Sequence, residues 1–349
     1  MLKIKNINIK NYRGIQELNI TELKSVNILV GDNNAGKTSL LEAIQIFSTP
    51  TMYTLSKISS QRDNYKTEIR MNILDSLYYL FNIKESDSPF FNINGTIKNK
   101  NRDVQIKVTK EKIYHLTENK NIIGNQEEID NYTYEISINN KIEKLVLNKY
   151  SNFSFKVTSP DFKVHFIQTI DHIINDIFVE LLKSKDIKDK AVTLLQEFDK
   201  DIMDIRYIPN ENNYIPVLEL SNGEYLPVAL YGDGLKKALT MLNAIIKAEN
   251  GVLLVDEYET ALHTSIMQKV FKFMVEVAKK ENVQLFLTTH SLEAVDKFLY
   301  ANKDILEDIS IIRLKKKENK TYAKIMNGKE ALNNRENYDL ELRVWVREV

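Results

Sequence analysis

The 349-residue chain contains no cysteine, so disulfides and thiolate metal sites are excluded. It has one tryptophan, 6 prolines and 10 glycines, too few Pro and Gly for a collagen-like or low-complexity chain. Neither sign of charge is in excess, since 48 Lys+Arg meet 48 Asp+Glu. A net charge of zero gives no overall pull toward nucleic acid, although a local basic patch remains compatible with it. No stretch reaches the roughly 18 consecutive apolar residues of a transmembrane helix. Coiled-coil heptads are also missing, so long helical arms are not encoded. The start, Met1-Leu2-Lys3-Ile4-Lys5-Asn6, alternates like a strand and lacks the apolar centre of a signal peptide. A cytoplasmic protein of one or two domains, with no membrane partner, is the expectation.

The scarce glycines are not scattered evenly. Gly31-Asp32-Asn33-Asn34-Ala35-Gly36-Lys37-Thr38-Ser39 fits G-x-x-x-x-G-K-S/T, a phosphate-binding loop. Val26 to Val30 before it is an apolar run with β character. Leu40, Leu41, Ile44 and Phe47 after it follow a helical period. Strand, glycine loop and helix together aim backbone amides and a positive helix end at phosphate oxygens. Lys37 is placed to reach the β- and γ-phosphates and Thr38 to ligate Mg²⁺. A plain turn is the alternative reading.

Val252-Leu253-Leu254-Val255-Asp256-Glu257 reads as a buried parallel strand tipped by two acids. Ligands sit at such tips in open α/β sheets. Asp256 is the candidate Mg²⁺ ligand and Glu257 the candidate polariser of the attacking water. A further strand, Val283 to Leu287, ends in Thr288-Thr289-His290-Ser291. His290 there either caps the strand or hydrogen-bonds the γ-phosphate or the water. Leu230-Tyr231-Gly232-Asp233-Gly234-Leu235-Lys236-Lys237 leads into an apolar-faced helix, giving either a second anion site or a simple N-cap.

The order Asn11-Tyr12-Arg13-Gly14, GDNNAGKTS, LYGDGLKK, LLVDEYETALH and LTTHS resembles the ABC-type ATPase heads of the RecF, SMC and OLD group. It most resembles the stand-alone OLD-like branch often described as AAA or "ATP/GTP phosphatase" ATPases. Asp256 to His263 and Ser291-Leu292-Glu293-Ala294-Val295 match that branch. The resemblance covers residues 1–48 and about 200–320. It departs at the signature loop, where Gly232-Asp233-Gly234 replaces Ser-Gly-Gly and the serine that touches the γ-phosphate is missing. No glutamine stands out as the Mg²⁺ sensor, and Gln168 is the candidate. Arg13 is either a surface arginine or the basic residue that approaches the nucleotide in such heads.

The resemblance implies an α/β P-loop fold of ABC-ATPase type: a mixed sheet, an N-terminal antiparallel β layer over the adenine side, a β-rich insertion and a helical lobe. The expected division is a core of 1–49 and 200–349, an insertion over 50–168 and a helical segment over 169–199. Helices are expected at 68–81, 173–182 and 191–198. Insertion strands are expected at 91–97, 104–108, 132–138 and 142–147, with turns at Gly124-Asn125 and Asn139-Asn140. Trp345, between valines, either docks on a neighbour or packs on its own domain.

The resemblance further implies ATP and Mg²⁺ as ligands and a homo-oligomer built on dimers. Two heads would sandwich ATP, with Gly232, Asp233 and Gly234 and the Ala261-Leu262-His263 loop acting on the partner's nucleotide. OLD-family nucleases carry a Toprim domain after the ATPase. About 60 residues follow His290, too few for such a domain, and they contain no Asp-x-Asp. No nuclease activity is therefore expected of this chain. The implied role is a switch ATPase of phage-defence systems, similar to the ATPase subunit of PARIS, controlling a separate, possibly Toprim-like, effector. The alternative is a RecF-like DNA-repair ATPase, with DNA as its partner.

Overall fold

A computed structural model describes residues 4–61, 72–82, 88–117, 125–153, 155, 160, 162–169, 171, 179–210, 213–317 and 320–343. The chain opens with the hairpin β1 (Ile4–Tyr12) and β2 (Ile15–Ile20), then β3 (Val26–Gly31) and α1 (Lys37–Ser48). Helices α2 (Met52–Gln61) and α3 (Ile73–Tyr78) follow. The helix expected at 68–81 is present as α3, and positions 68–71 lie outside the described residues.

Four long strands come next: β4 (Phe90–Ile97), β5 (Lys100–Thr117), β6 (Asn125–Ile138) and β7 (Lys141–Asn148). The Asn139-Asn140 turn joins the last two, with left-handed φ of 45° and 70°. Asn125 opens β6, while Gly124 lies outside the described residues. These strands extend the first hairpin into one antiparallel sheet of order β2-β1-β4-β5-β6-β7. The N-terminal layer and the stretch read as an insertion thus share a single sheet.

The strand β8 (Val164–Ile167) precedes α4 (Val179–Leu182) and α5 (Lys185–Leu195). Of the helix expected at 173–182, positions 173–178 lie outside the described residues. The helix expected at 191–198 is the C-terminal part of α5, which starts earlier and stops at Leu195. A small sheet of β9 (Ile202–Asn210), β10 (Asn213–Leu220) and β11 (Tyr225–Pro227) leads into α6 (Asp233–Lys247). Then come β12 (Val252–Val255), α7 (Thr264–Lys280), β13 (Gln284–Thr288) and α8 (Leu292–Ala301). The described chain closes with β14 (Ile309–Lys317), β15 (Lys320–Asn327) and α9 (Gly328–Tyr338).

The central sheet has order β15-β14-β3-β13-β12-β8. All its neighbours run parallel except β14 and β15, which are antiparallel. Period-two alternation splits its side chains between two cores. Ile28, Val30, Leu253, Val255, Leu285 and Leu287 pack toward α5, α6, α7 and α8. Leu29, Val252, Leu254, Phe286, Ile312 and Leu314 pack toward α1 and the antiparallel sheet. Both faces are covered, which is why these strands are near-continuous apolar runs. The mixed sheet, antiparallel layer and helical lobe are those expected. Trp345 lies outside the described residues.

Candidate active site

The phosphate loop leaves β3 at Gly31 with φ of 140°, and a Cβ there would lie 2.2 Å from the Leu314 carbonyl oxygen on β14. Only glycine allows that approach. Asn34 and Gly36 also take left-handed backbone, at 62° and 98°, and Gly36 delivers the chain into α1. Lys37 is the first residue of that helix. Its Nζ donates to the carbonyls of Gly31 and Asp32, at 2.8 and 3.0 Å. It also lies 3.5 Å from His290 Nδ1. Burial pulls the Lys37 pKa down, against the raising influence of Asp256 and Asp32.

Parallel register brings the tips of β12 and β13 to the same edge. Thr38 Oγ1 donates to Asp256 Oδ2 at 3.0 Å. Thr288 Oγ1 donates to Asp256 Oδ1 at 2.5 Å and accepts from the Glu257 amide at 2.9 Å. Glu257 has a left-handed φ of 47°. Such a backbone is uncommon outside glycine and concentrates at functional sites. Behind it, buried Tyr258 stacks edge-on to Phe271 and Phe298, with centroids 4.9 and 5.8 Å away. The His290 amide donates to Glu259 Oε1 at 3.3 Å, and Thr289 Oγ1 donates to the same oxygen at 2.5 Å. Burial lowers the His290 pKa, and the Lys37 charge lowers it further. Glu257 and Asp256 act the other way and only partly offset this.

Arg13 takes a left-handed φ of 49° in the turn between β1 and β2. Its Nε pairs with buried Glu42 of α1 at 2.7 Å, and Tyr12 OH donates to the same carboxylate at 3.1 Å. Burial opposes the Arg13 charge, but Tyr12 and Glu42 outweigh it and raise the pKa. Its Nη2 is buried without a hydrogen-bond partner.

These residues surround one cavity of about 540 Å³, lined by Arg13, Gly14, residues 34–39, Asp256, Glu257, His290 and Lys316. That volume suits a nucleotide-sized ligand. Asp32 and Asn33 are exposed at the loop tip beside it. Gly232, Asp233 and Gly234 do not line it. Gly234 instead faces Ala261, whose oxygen would lie 2.9 Å from an added Cβ. Gln168 follows β8, level with Asp256, and its amide donates to Asp171 at 2.8 Å.

The Thr38 hydroxyl and the Asp256 carboxylate form a hard-oxygen pair that fits Mg²⁺, which takes one or two carboxylates plus substrate phosphates. Among the described residues there is no cluster of three His, Cys, Asp or Glu that could hold a metal. The sequence reading missed Thr288, Glu259, Lys316 and the Tyr12–Glu42 anchor. A pair of threonines ending a buried strand was the available signal for Thr288.

The fold and the site define an ATPase head of the RecF, SMC and OLD type. Residues 26–296 match the family described as "AAA domain, putative AbiEii toxin, Type IV TA system", and the chain belongs to that family. It is 27% identical over 333 residues to an ATP/GTP phosphatase of Helicobacter pylori, covering 84% of this chain and 86% of that one. A shorter match, 33% identical over 130 residues, is to the DNA replication and repair protein RecF of Oenococcus oeni, covering 35% of this chain and 29% of that one. In fold it is similar to an Smc head domain bound to the C-terminal domain of ScpA from Pyrococcus furiosus. The TM-score is 0.53 at 12% identity, over 97% of this chain and 100% of that one. Membership in this group of P-loop proteins supports ATP binding and ATP hydrolysis. Among the described residues, no helix is long and apolar enough to cross a membrane.

Proposed function

We propose that the chain is an ATP-hydrolysing switch whose two states are separate and nucleotide-sandwiched heads. The observation that carries this reading is the single cavity shared by the phosphate loop, Asp256, Glu257 and His290. The amides of residues 31–39 cradle the phosphates. Lys37 exchanges its two carbonyl partners for β- and γ-phosphate oxygens. Thr38 and Asp256 would hold Mg²⁺, and the bound ion would supply neutralisation of phosphate charge. Glu257 accepts a proton from the attacking water, and His290 hydrogen-bonds a γ-phosphate oxygen. The Arg13 guanidinium, in the cavity wall, supplies one more positive group. Gly232, Asp233 and Gly234 of a second copy close the exposed side of the γ-phosphate with their amides and the positive end of α6.

Glu257→Gln tests this. It should keep ATP binding, slow hydrolysis by about two to four orders of magnitude, as expected for losing a positioned base, and accumulate the ATP-bound dimer. Parental turnover would remove Glu257 from the mechanism.

The match to RecF supports a head that acts on DNA. Control of a separate protein effector, as in phage defence, is the second reading. It is favoured by the antiparallel sheet, where Lys110, Lys112, Lys144 and Lys149 pair with Asp130, Glu128, Glu135 and Glu127. Paired lysines offer little net charge to phosphates. The same sheet exposes Ile142 and Val146 on β7. A mobility shift of duplex DNA by Glu257→Gln protein in ATP at physiological salt separates the two. Binding that weakens steeply with salt supports DNA, and no binding leaves the effector reading.

A further inference from the structure

The segment that follows α9 returns to the site from behind. Leu342 is buried in the core. Arg313 on β14, itself buried, donates Nε to the Leu342 carbonyl at 2.5 Å and Nη2 to the Glu341 carbonyl at 3.1 Å. Arg313 stands in register with Val30, the residue before the phosphate loop. Residues 341 and 342 are thereby fixed to the strand that flanks that loop.

Arg343 then reaches across to the residues that follow β13. Its Nη1 donates to the His290 carbonyl at 2.9 Å. Its Nε and Nη2 fork onto the Glu341 carboxylate at 2.8 and 2.7 Å, and its own amide donates to the same group at 3.0 Å. Backbone groups hold the peptide after Thr288, since the Thr289 amide donates to the Leu29 carbonyl and the Thr288 carbonyl accepts from the Tyr258 amide, and at His290 side chains take over. Glu259 takes the His290 amide, and Arg343 takes the His290 carbonyl. The imidazole thus hangs from a peptide gripped on both sides, with its ring facing Lys37.

We propose that Arg343 is a positioning residue for His290. It fixes the height at which the imidazole meets the nucleotide, and Glu341 keeps its guanidinium aimed. A planar, bidentate guanidinium suits this task because its direction is set by the fork. The proposal rests on the reading of His290 as a γ-phosphate contact. The competing role for Arg343 is to tie the end of α9 to the body with no effect on chemistry.

A double-mutant cycle on the full chain separates these. Arg343→Ala should lower kcat about tenfold to a hundredfold, the size of a lost charge-assisted hydrogen bond, with ATP affinity within about threefold of the parent. His290→Ala with Arg343→Ala should be no slower than His290→Ala alone. Guanidinium ion added to Arg343→Ala should restore part of the rate, and Arg343→Lys should retain part of it. If Arg343→Ala melts early, Arg343→Lys carries the cycle. Losses that multiply in the double variant overturn the proposal, as does loss of ATP binding equal to the loss of kcat. A parental rate for Arg343→Ala beside an impaired His290→Ala overturns the proposal alone. A parental rate for His290→Ala overturns the reading of His290 and the proposal with it.

Discussion

The Lys37 ammonium is held by two carbonyls of its own loop, Gly31 and Asp32, and lies beside His290, so its contacts are confined to the site. Lys37→Ala should therefore leave the melting temperature near the parent's and weaken ATP binding about a hundredfold or more, since charge-assisted bonds to phosphate are lost. Calorimetry showing parental affinity would remove the loop from nucleotide binding. Glu259 makes a different prediction. Burial raises its pKa, its hydrogen bonds from Thr289 and the His290 amide only partly offset this, and its Oε2 has no partner. An acid whose folded pKa exceeds its unfolded value, about 4.3, costs stability once ionised. The cost is absent below the unfolded pKa, grows as pH rises between the unfolded and the folded value, and is complete above the folded one. Glu259→Gln keeps the acceptor and removes the charge. It should melt above the parent near neutral pH and level with it at about pH 4. A difference independent of pH would refute this. Lys37, Thr38, Asp256, Glu257 and His290 were legible in the sequence because loop and strand-tip spacing announces them. Glu259 and Arg343 were not, because their work depends on contacts made after folding, 31 and 53 positions from His290.

Among elements, the antiparallel sheet depends on β4 lying directly against β1. Gly95 stands opposite Ile7, and a Cβ on it would sit 2.3 Å from the Asn6 carbonyl oxygen. Gly95→Val should separate the two strands there and cost on the order of 2–4 kcal/mol, the range of severe overpacking and broken pairing. Urea denaturation measures it, and a cost below about 0.5 kcal/mol, the level of a neutral surface change, would show that the pairing adapts. The strands themselves were readable: β3, β12 and β13 are apolar runs, and Asn139-Asn140 marks the turn before β7. Their partners were not. Pairing of β4 with β1, and of β8 with β12, joins segments far apart in sequence, and no local pattern records register between them. The same holds for β15, where Lys320 and Lys324 interrupt the apolar residues and only pairing with β14 makes the strand visible.

At the scale of the whole molecule, the question is how the exposed side of the cavity is closed. One chain leaves Gly232, Asp233 and Gly234 away from the cavity, so their use requires a second copy. Gly234, the second glycine of that loop, is one residue to test in trans. The structure makes it a poor probe, because an added Cβ would meet the Ala261 oxygen of the same chain at 2.9 Å and disturb the segment that follows Glu257 there. Gly232 is the cleaner choice. Among the described residues nothing lies within 4 Å of a Cβ placed there, and its φ of −63° is open to any residue. Gly232→Val should therefore fold and bind ATP like the parent. In the sandwich its side chain would meet the partner's nucleotide, and hydrolysis should fall by about tenfold or more, as expected when oriented amides near developing charge are displaced. Mixed with Lys37→Ala, it should regain part of the activity, because one of the two composite sites in the heterodimer has both an intact phosphate loop and an intact signature loop. The assay is turnover across mixing ratios, paired with the mass of the Glu257→Gln protein in ATP. Parental turnover by Gly232→Val, or no rescue together with a monomeric mass, would leave each head to work alone.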